Sequence, residues 1–403
     1  MTNTEKLFYE RPELFEAEAE VLAVEGDPKC PCLVLDRTIF YPEGGGQACD
    51  LGFIGEAAVA LVSEEGDRIL HRMSGPCSAR LGDRVRLSVD RERRVDYSQQ
   101  HSGQHLISAT TLRLIGAATV STHLGKDHCA IDFDISAISD EDLAAVENEV
   151  ERIVADDYPI RTHLCPPEDI ADFSLRRRPP AGAEVLRVVE IDGIDFTPCC
   201  GLHLSSTGKL RVVRLIGSEK YKGMTRVYFA AGSRAAADYR SVSRIAQEAA
   251  RTLGVSVAGL PETVTCETKR LKSLEYTVMA LERERAAMEA AAAPELQEAA
   301  SDGTVRLALR RYTDRGAASL METAKAFAQA GMTAVLAALP DLTVQAISPA
   351  PAARLGERLK GALAASGGKG GGGTSSFRAV FPDAASLDAF MEAARVEFSK
   401  GAT

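Results

Sequence analysis

The sequence predicts an α+β protein built in successive parts, and three observations carry that prediction. Short strand-like runs with turn signals between them fill the first 90 residues. Strands and helices then mix without strict alternation to about residue 232. Beyond that, a stretch dominated by Ala, Glu, Arg and Leu precedes a mixed tail. With 403 residues the chain is too long for one core. The expected parts are 1–90, a small β-barrel with a Gly-rich loop; 91–232, an α+β domain; 233–300, a helical hairpin arm; and 301–403, an α/β domain.

In the first part, strands are expected at 17–24, 32–40, 57–62, 68–73 and 85–89. The turn signals Gly26-Asp27-Pro28, Glu65-Gly66-Asp67 and Leu81-Gly82-Asp83 separate them, the pattern of a small barrel. Cys30 and Cys32 are expected at a strand entrance. Asp90 to Arg94 closes the barrel, and a helix is expected over 97–115 with Leu106, Thr110 and Leu114 as a partial inward stripe. Strands return over 119–133. Ser139 followed by Asp140-Glu141-Asp142 signals a helix start, and Leu143, Val146, Val150 and Ile153 share one face to Ala155. Strands are expected at 160–165, 185–191, 210–218 and 225–230.

From Ser233 to Glu298 the pattern is helical, broken at Gly254 to Pro261, and Leu271, Leu274, Val278 and Leu281 fall near a 3.5-residue repeat. In the tail, strands are expected at 305–309, 333–339 and 343–347, and helices at 319–330 and 385–397. The run Gly367 to Thr374 is not a Walker A motif, because its single Lys369 does not directly precede the Thr. It reads as a flexible linker or as a backbone cradle for a phosphate.

Composition narrows the function classes. No run of 18 apolar residues suggests a membrane span, and the N-terminus lacks the basic and apolar regions of a secretory signal. Nine cysteines without regular disulfide spacing fit a reducing compartment, so a cytoplasmic protein is expected. The net charge of −10 argues against indiscriminate binding to nucleic acid. Basic residues nevertheless cluster locally: Lys209, Arg211, Arg214, Lys220, Lys222 and Arg226 stand against Glu219 alone, and Arg176-Arg177-Arg178 forms a second point.

The chemistry concentrates in two pairs. His101 and His105 stand four apart on the expected helix, so both imidazoles reach one face. Cys199 and His203 are also four apart, after Pro198. Together they make an N3S set that suits Zn2+. Ser102 occupies the place of the Glu in H-E-x-x-H, which excludes a zincin-type protease. Four protein ligands would also fill a tetrahedral shell. Gly44-Gly45-Gly46-Gln47, after Tyr41-Pro42-Glu43, reads as a hairpin turn or as a loop lining a substrate pocket. Ser121 and His123 alternate on one face of the strand after the helix, a face that could line that pocket.

These motifs, in this order and spacing, resemble the alanyl-tRNA editing proteins, the free-standing relatives of the editing domain of alanyl-tRNA synthetase. Tyr41 to Gln47 with Asp50 and Gly52 looks like the family's signature loop. The two pairs look like its zinc ligands, and Ser121 to Gly125 with Ile131-Asp132 resembles the strand pair beside its pocket. Leu202 stands where the family has Thr. The Gly-rich tail resembles the DHHA1-type domain of the long form.

The resemblance implies hydrolysis of the ester joining serine, or glycine, to tRNA(Ala). It makes Ser121, His123 and Gln104 candidate catalytic residues, Gly44 to Gln47 a candidate substrate loop, and a homodimer through the arm and tail a plausible assembly. The chain begins close to the barrel, so editing in trans is expected. The alternatives are a tRNA-binding or regulatory zinc module without turnover, and a metal-dependent hydrolase of a small ester or amide.

Overall fold

The computed structural model describes residues 3–126, 128–166, 169–170, 173–179, 185–292, 298–299 and 306–400. They fall into two compact units, 1–248 and 249–403. The first holds the expected barrel and ligand-bearing region, the second holds residues 301–403, and the helical stretch spans the division.

The first unit opens with a short strand β1 (Glu5–Lys6) and a single turn α1 (Leu7–Glu10). Then come β2 (Glu16–Glu25), β3 (Cys32–Leu35), β4 (Arg37–Thr38), β5 (Gly52–Ile54), β6 (Ala57–Glu65), β7 (Arg68–Met73) and β8 (Arg84–Val89). Six of them close a barrel in the order β2-β3-β7-β6-β5-β8. Closure removes the exposed edges that an open sheet leaves. Alternate residues fill the interior, among them Val21, Leu33, Leu35, Val62, Ile69 and Leu87, all fully or almost fully buried.

Helix α2 (Arg91–Ile115) starts earlier than its expected position. Asp90 is its N-cap, accepting from the Arg93 N–H, so the residues read as barrel closure already form its first turn. Gly116, in the left-handed region at φ 72°, ends it. The helix is buried on all sides through its middle, although Ser98, Gln99, Gln100, Ser102 and Gln104 are polar. Partners make that burial tolerable: Gln100 exchanges two hydrogen bonds with the backbone of Ala231, and the Ser102 hydroxyl accepts from the Leu204 N–H. The expected apolar stripe does not decide its placement, since Leu114 is exposed.

Around α2 stand β9 (Thr119–Leu124), β10 (Cys129–Phe133), α3 (Asp140–Ala155), β11 (Ile160–Cys165), β12 (Leu186–Ile191), β13 (Asp195–Pro198), β14 (Val213–Tyr221) and β15 (Met224–Ala231). They form one sheet in the order β14-β15-β10-β9 and another in the order β11-β12-β13. Ser139 caps α3 as its spacing predicts, and Val146, Val150 and Ile153 pack with Leu106, Ile131, Val189 and Phe229 in one core.

Two helices follow, α4 (Gly232–Leu253) and α5 (Leu260–Ala291), with the break at the expected place. Residues 293–297 and 300–305, where the arm is expected to end and the first tail strand to begin, lie outside the described residues. The second unit continues with β16 (Glu298–Ala299), β17 (Arg306–Tyr312), α6 (Ala317–Gln329), β18 (Met332–Ala338), β19 (Thr343–Ile347), α7 (Leu355–Ser366), β20 (Lys369–Gly372), β21 (Ser376–Val380) and α8 (Ala384–Ser399). Its sheet runs β16-β17-β18-β19-β21-β20. The Gly-rich run is therefore a strand, not a linker. Lys369 to Gly372 pairs antiparallel with the strand after it. Backbone fills the space that a Cβ would need: it would stand 2.1 Å from Arg378 O at Gly370, and 2.1 Å from Ser376 O at Gly372. No helix among the described residues is long and apolar enough to cross a membrane.

Candidate metal centre and cleft

Four side chains converge in the first unit. His101 and His105 lie one turn apart on α2, and Cys199 and His203 sit on the turn after β13. Their donor atoms all lie within 4.8 Å of one another. Nε2 of His101 and Nε2 of His203 are 3.3 and 3.4 Å from Cys199 Sγ.

Each imidazole has a different neighbour at its outer nitrogen. His101 Nδ1 is 2.9 Å from Gln47 Oε1, which also accepts the Leu202 N–H at 3.1 Å. That oxygen only accepts, so His101 donates from Nδ1 and keeps the Nε2 lone pair free. His203 Nδ1 is 3.4 Å from the Ser102 hydroxyl. His105 Nδ1 faces Asp195 Oδ2 at 3.7 Å, too far for a hydrogen bond, and has no partner although it is buried. Arg176 and Thr197 fix that carboxylate: Arg176 Nε donates to Oδ1 at 2.8 Å and the Thr197 hydroxyl to Oδ2 at 2.9 Å. A carboxylate behind a ligand histidine orients it and raises its basicity.

The electrostatics favour a metal. Burial, with Arg187 adding to it, holds His101 down at about 4. Burial together with the neighbouring His101 and His105 holds His203 well below its ordinary value. Burial pushes the Cys199 thiol up, but His105, the Gly201 N–H and Arg187 outweigh it, leaving the thiol below its usual range. Neutral imidazoles and a readily ionised thiol are what a metal requires of its ligands. The donor set fits zinc, whose bonds to N and S are about 2.0–2.3 Å long.

The turn carrying Cys199 and His203 is anchored on several sides. Arg187 Nη1 donates to the carbonyls of Cys199 and Gly201, each at 2.8 Å. The Tyr9 and Tyr41 hydroxyls donate to Cys200 O at 2.9 and 3.3 Å. At Gly201 a Cβ would stand 2.0 Å from the His101 ring, so only glycine lets this turn reach the imidazole. Leu202, in the place of the family's Thr, is fully buried among the barrel's core residues.

A cleft of about 510 Å3 opens over the cluster. His101, His105 and Cys199 line it together with Gln104, Thr122 and Thr197, and Gly45, Arg176, Arg177, Arg178 and Arg187 are among the other lining residues. The Gly-rich loop is a turn beside the cleft. Gly44 and Gln47 close a tight turn by exchanging backbone hydrogen bonds, with positive φ at Gly45 and Gly46, 58° and 79°. Gly45 borders the cleft, whereas Gln47 is buried beneath it against His101. Gln104 lines the cleft and donates to Ser108 Oγ at 2.8 Å.

The strand β9 is read one residue out of phase by the sequence. Thr122 is its cleft residue. Alternation turns Ser121 and His123 to the opposite face, where both are exposed. There Ser121 donates to Asp132 Oδ2 at 2.5 Å. Asp195, Thr197 and Arg187 join the site although no motif marks them.

Two family models match. One, described as tRNA synthetases class II (A), covers residues 4–93 and hence the barrel. The other, the threonyl and alanyl tRNA synthetase second additional domain, covers residues 186–228 and includes Cys199 and His203. Both matched regions are thus similar to parts of tRNA synthetases. The chain is similar to alanyl-tRNA editing proteins and to alanine–tRNA ligases. Alanyl-tRNA editing protein Aarsd1 of Rattus norvegicus is 38% identical over 205 residues, 50% of this chain and 49% of that protein. Its counterpart in Danio rerio is 36% identical over 203 residues, 50% and 49%. Alanine–tRNA ligase of Pyrococcus abyssi is 32% identical over 297 residues, 71% of this chain and 32% of the ligase. The matches therefore span about half the length of these editing proteins and about a third of the ligase.

Proposed function

We propose that the chain is a trans-acting deacylase that hydrolyses the ester between serine, or glycine, and tRNA(Ala). The observation that carries this reading is the convergence of His101, His105, Cys199 and His203 at a polar cleft open to solvent. Zinc on these four residues would supply a Lewis acid and a fixed point for the aminoacyl group. Gln47 orients His101 from behind, and Asp195 faces His105. Gln104 and Thr122 offer an amide and a hydroxyl to a serine side chain. Alanine would leave those groups unpaired, which is how a polar site rejects a substrate lacking a hydroxyl. In this reading the chain acts in the cytoplasm on charged tRNA. It pairs into homodimers through the arm and tail, where Leu271, Leu274, Val278 and Leu281 of α5 are exposed.

One observation favours a second reading, a tRNA-binding module without turnover: four protein donors make the closed set of a structural zinc site. Deacylation of Ser-, Gly- and Ala-tRNA(Ala) by the zinc-loaded protein separates the two. The expected result is loss of the seryl ester with Ala-tRNA(Ala) spared; the glycyl ester, which offers Gln104 and Thr122 no hydroxyl either, should be cleaved more slowly than the seryl one. Binding without hydrolysis of Ser-tRNA(Ala) would sink the deacylase, and equally efficient cleavage of small seryl esters would favour a general esterase. His105→Ala and Cys199→Ala should each lower bound zinc; unchanged metal content would refute the ligand set.

A further inference from the structure

We infer that Arg177 and Arg178 form a phosphate clamp at the cleft, gripping the phosphodiesters that precede the esterified nucleotide of a single-stranded RNA 3′ end. This rests on the deacylase reading for the identity of the ester, but not for the binding itself.

Charge allocation is the first support. The chain has 57 acidic residues against 47 basic ones. The cleft nevertheless has four arginines in its lining and no carboxylate among the described residues. Elsewhere in the first unit several basic residues are held by carboxylates: Lys209 pairs with Glu13, Arg214 with Asp238 and Arg226 with Asp132.

The four arginines of the cleft divide the same way. Arg176 is bound by Asp195, and Arg187 by the carbonyls of the Cys199 turn. Arg177 and Arg178 are exposed, and neither has an ion-pair or hydrogen-bond partner among the described residues. Two free guanidinium groups beside each other, in an otherwise acidic chain, cost self-repulsion that a bound polyanion relieves.

Position and shape are the second support. With an aminoacyl ester against His101, His105 and Cys199, the rest of the nucleic acid must leave through the cleft that Arg177 and Arg178 line. The planar fork of arginine matches two phosphate oxygens at once, where lysine offers only a point charge. Arg176 ties this segment to Asp195, so the clamp and the ligand shell share one anchor.

The test is binding of a short, uncharged, fluorescently labelled oligoribonucleotide ending in CCA to the full-length protein, read by anisotropy across salt concentrations. R177A/R178A should bind about tenfold more weakly. The slope of log affinity against log salt should fall by about 1.4, two single-strand phosphates at about 0.7 each. R177K/R178K should recover part of the affinity. The native protein should bind an oligonucleotide whose last two linkages are uncharged methylphosphonates as weakly as R177A/R178A binds the ordinary one. Native affinity and slope in R177A/R178A would overturn the clamp, as would equal weakening on both oligonucleotides. A matched melting temperature and zinc content show that the variant is folded. If binding behaves as stated while Ser-tRNA(Ala) is not hydrolysed, the deacylase reading fails and the clamp stands.

Discussion

Two glycine runs, one in each unit, look alike in sequence and do opposite things. Gly44 to Gly46 makes a tight turn, and the residue that leaves it, Gln47, reaches beneath the cleft to His101 and the Leu202 N–H. Gly370 to Gly372 makes no turn; it is a strand seated so closely on its neighbour that backbone fills the space of two missing side chains. The first run serves what it delivers, the second serves its own sheet. A glycine run therefore has no meaning until its neighbours' reach is known.

The sharpest way to break this contrast is Gln47→Ala. It strands the Leu202 N–H and the His101 Nδ1–H, both buried, at a cost of about 1–3 kcal/mol each. Loss of a partner behind a metal ligand weakens metal binding about 10–100-fold. Chelator competition and melting of the variant measure both; zinc affinity equal to the native protein's would refute the role given to Gln47.

Within the tail, Gly372→Ala should destabilise the second unit by about 1–3 kcal/mol, since backbone must shift. Gly371→Ala, with nothing within 4 Å of the added methyl, should stay within about 0.5 kcal/mol. Hydrogen exchange of the β21 amides reads the difference, and both variants should bind zinc normally.

Acid should also separate the units, because all seven histidines lie in the first. His71 is buried neutral in the barrel, donating from Nδ1 to Leu33 O at 3.1 Å with Thr38 Oγ1 2.8 Å from Nε2. Burial lowers it from 6.5 to about 4. An unfolded chain binds this proton near 6.5 and the folded one only near 4. Its contribution is therefore complete above pH 6.5 and drains away as pH falls toward 4. At pH 4.5 the loss amounts to about 2.5 kcal/mol. Urea unfolding at pH 7.5 and 4.5 should show a smaller acid loss in His71→Gln, and little change in the second unit.

Much of this was legible in the sequence where short-range rules decide. The strands 160–165 and 343–347 lie where they are expected, and Ser139 caps its helix. The ligand pairs were visible because spacing of four means one face on a helix. What was not legible depends on contacts between distant segments. Gln47, expected in a substrate loop, and Asp195 come to the histidines from other elements, and no spacing reveals those contacts. Ser121 and His123 against Thr122 is a choice of strand face, and an alternation of polar residues leaves that choice open. The strand 369–372 was hidden because glycine disfavours strands unless a neighbour demands its small size.

Leu202 has one more consequence. It carries no donor atom, yet its side chain is buried in the barrel core while the residue after it is a ligand. The barrel cannot be excised without pulling out the plug that seats the ligand turn. For anyone grafting this module onto another protein, the portable piece is the whole stretch through Ala231. The boundary near residue 90, natural on paper, is the wrong place to cut.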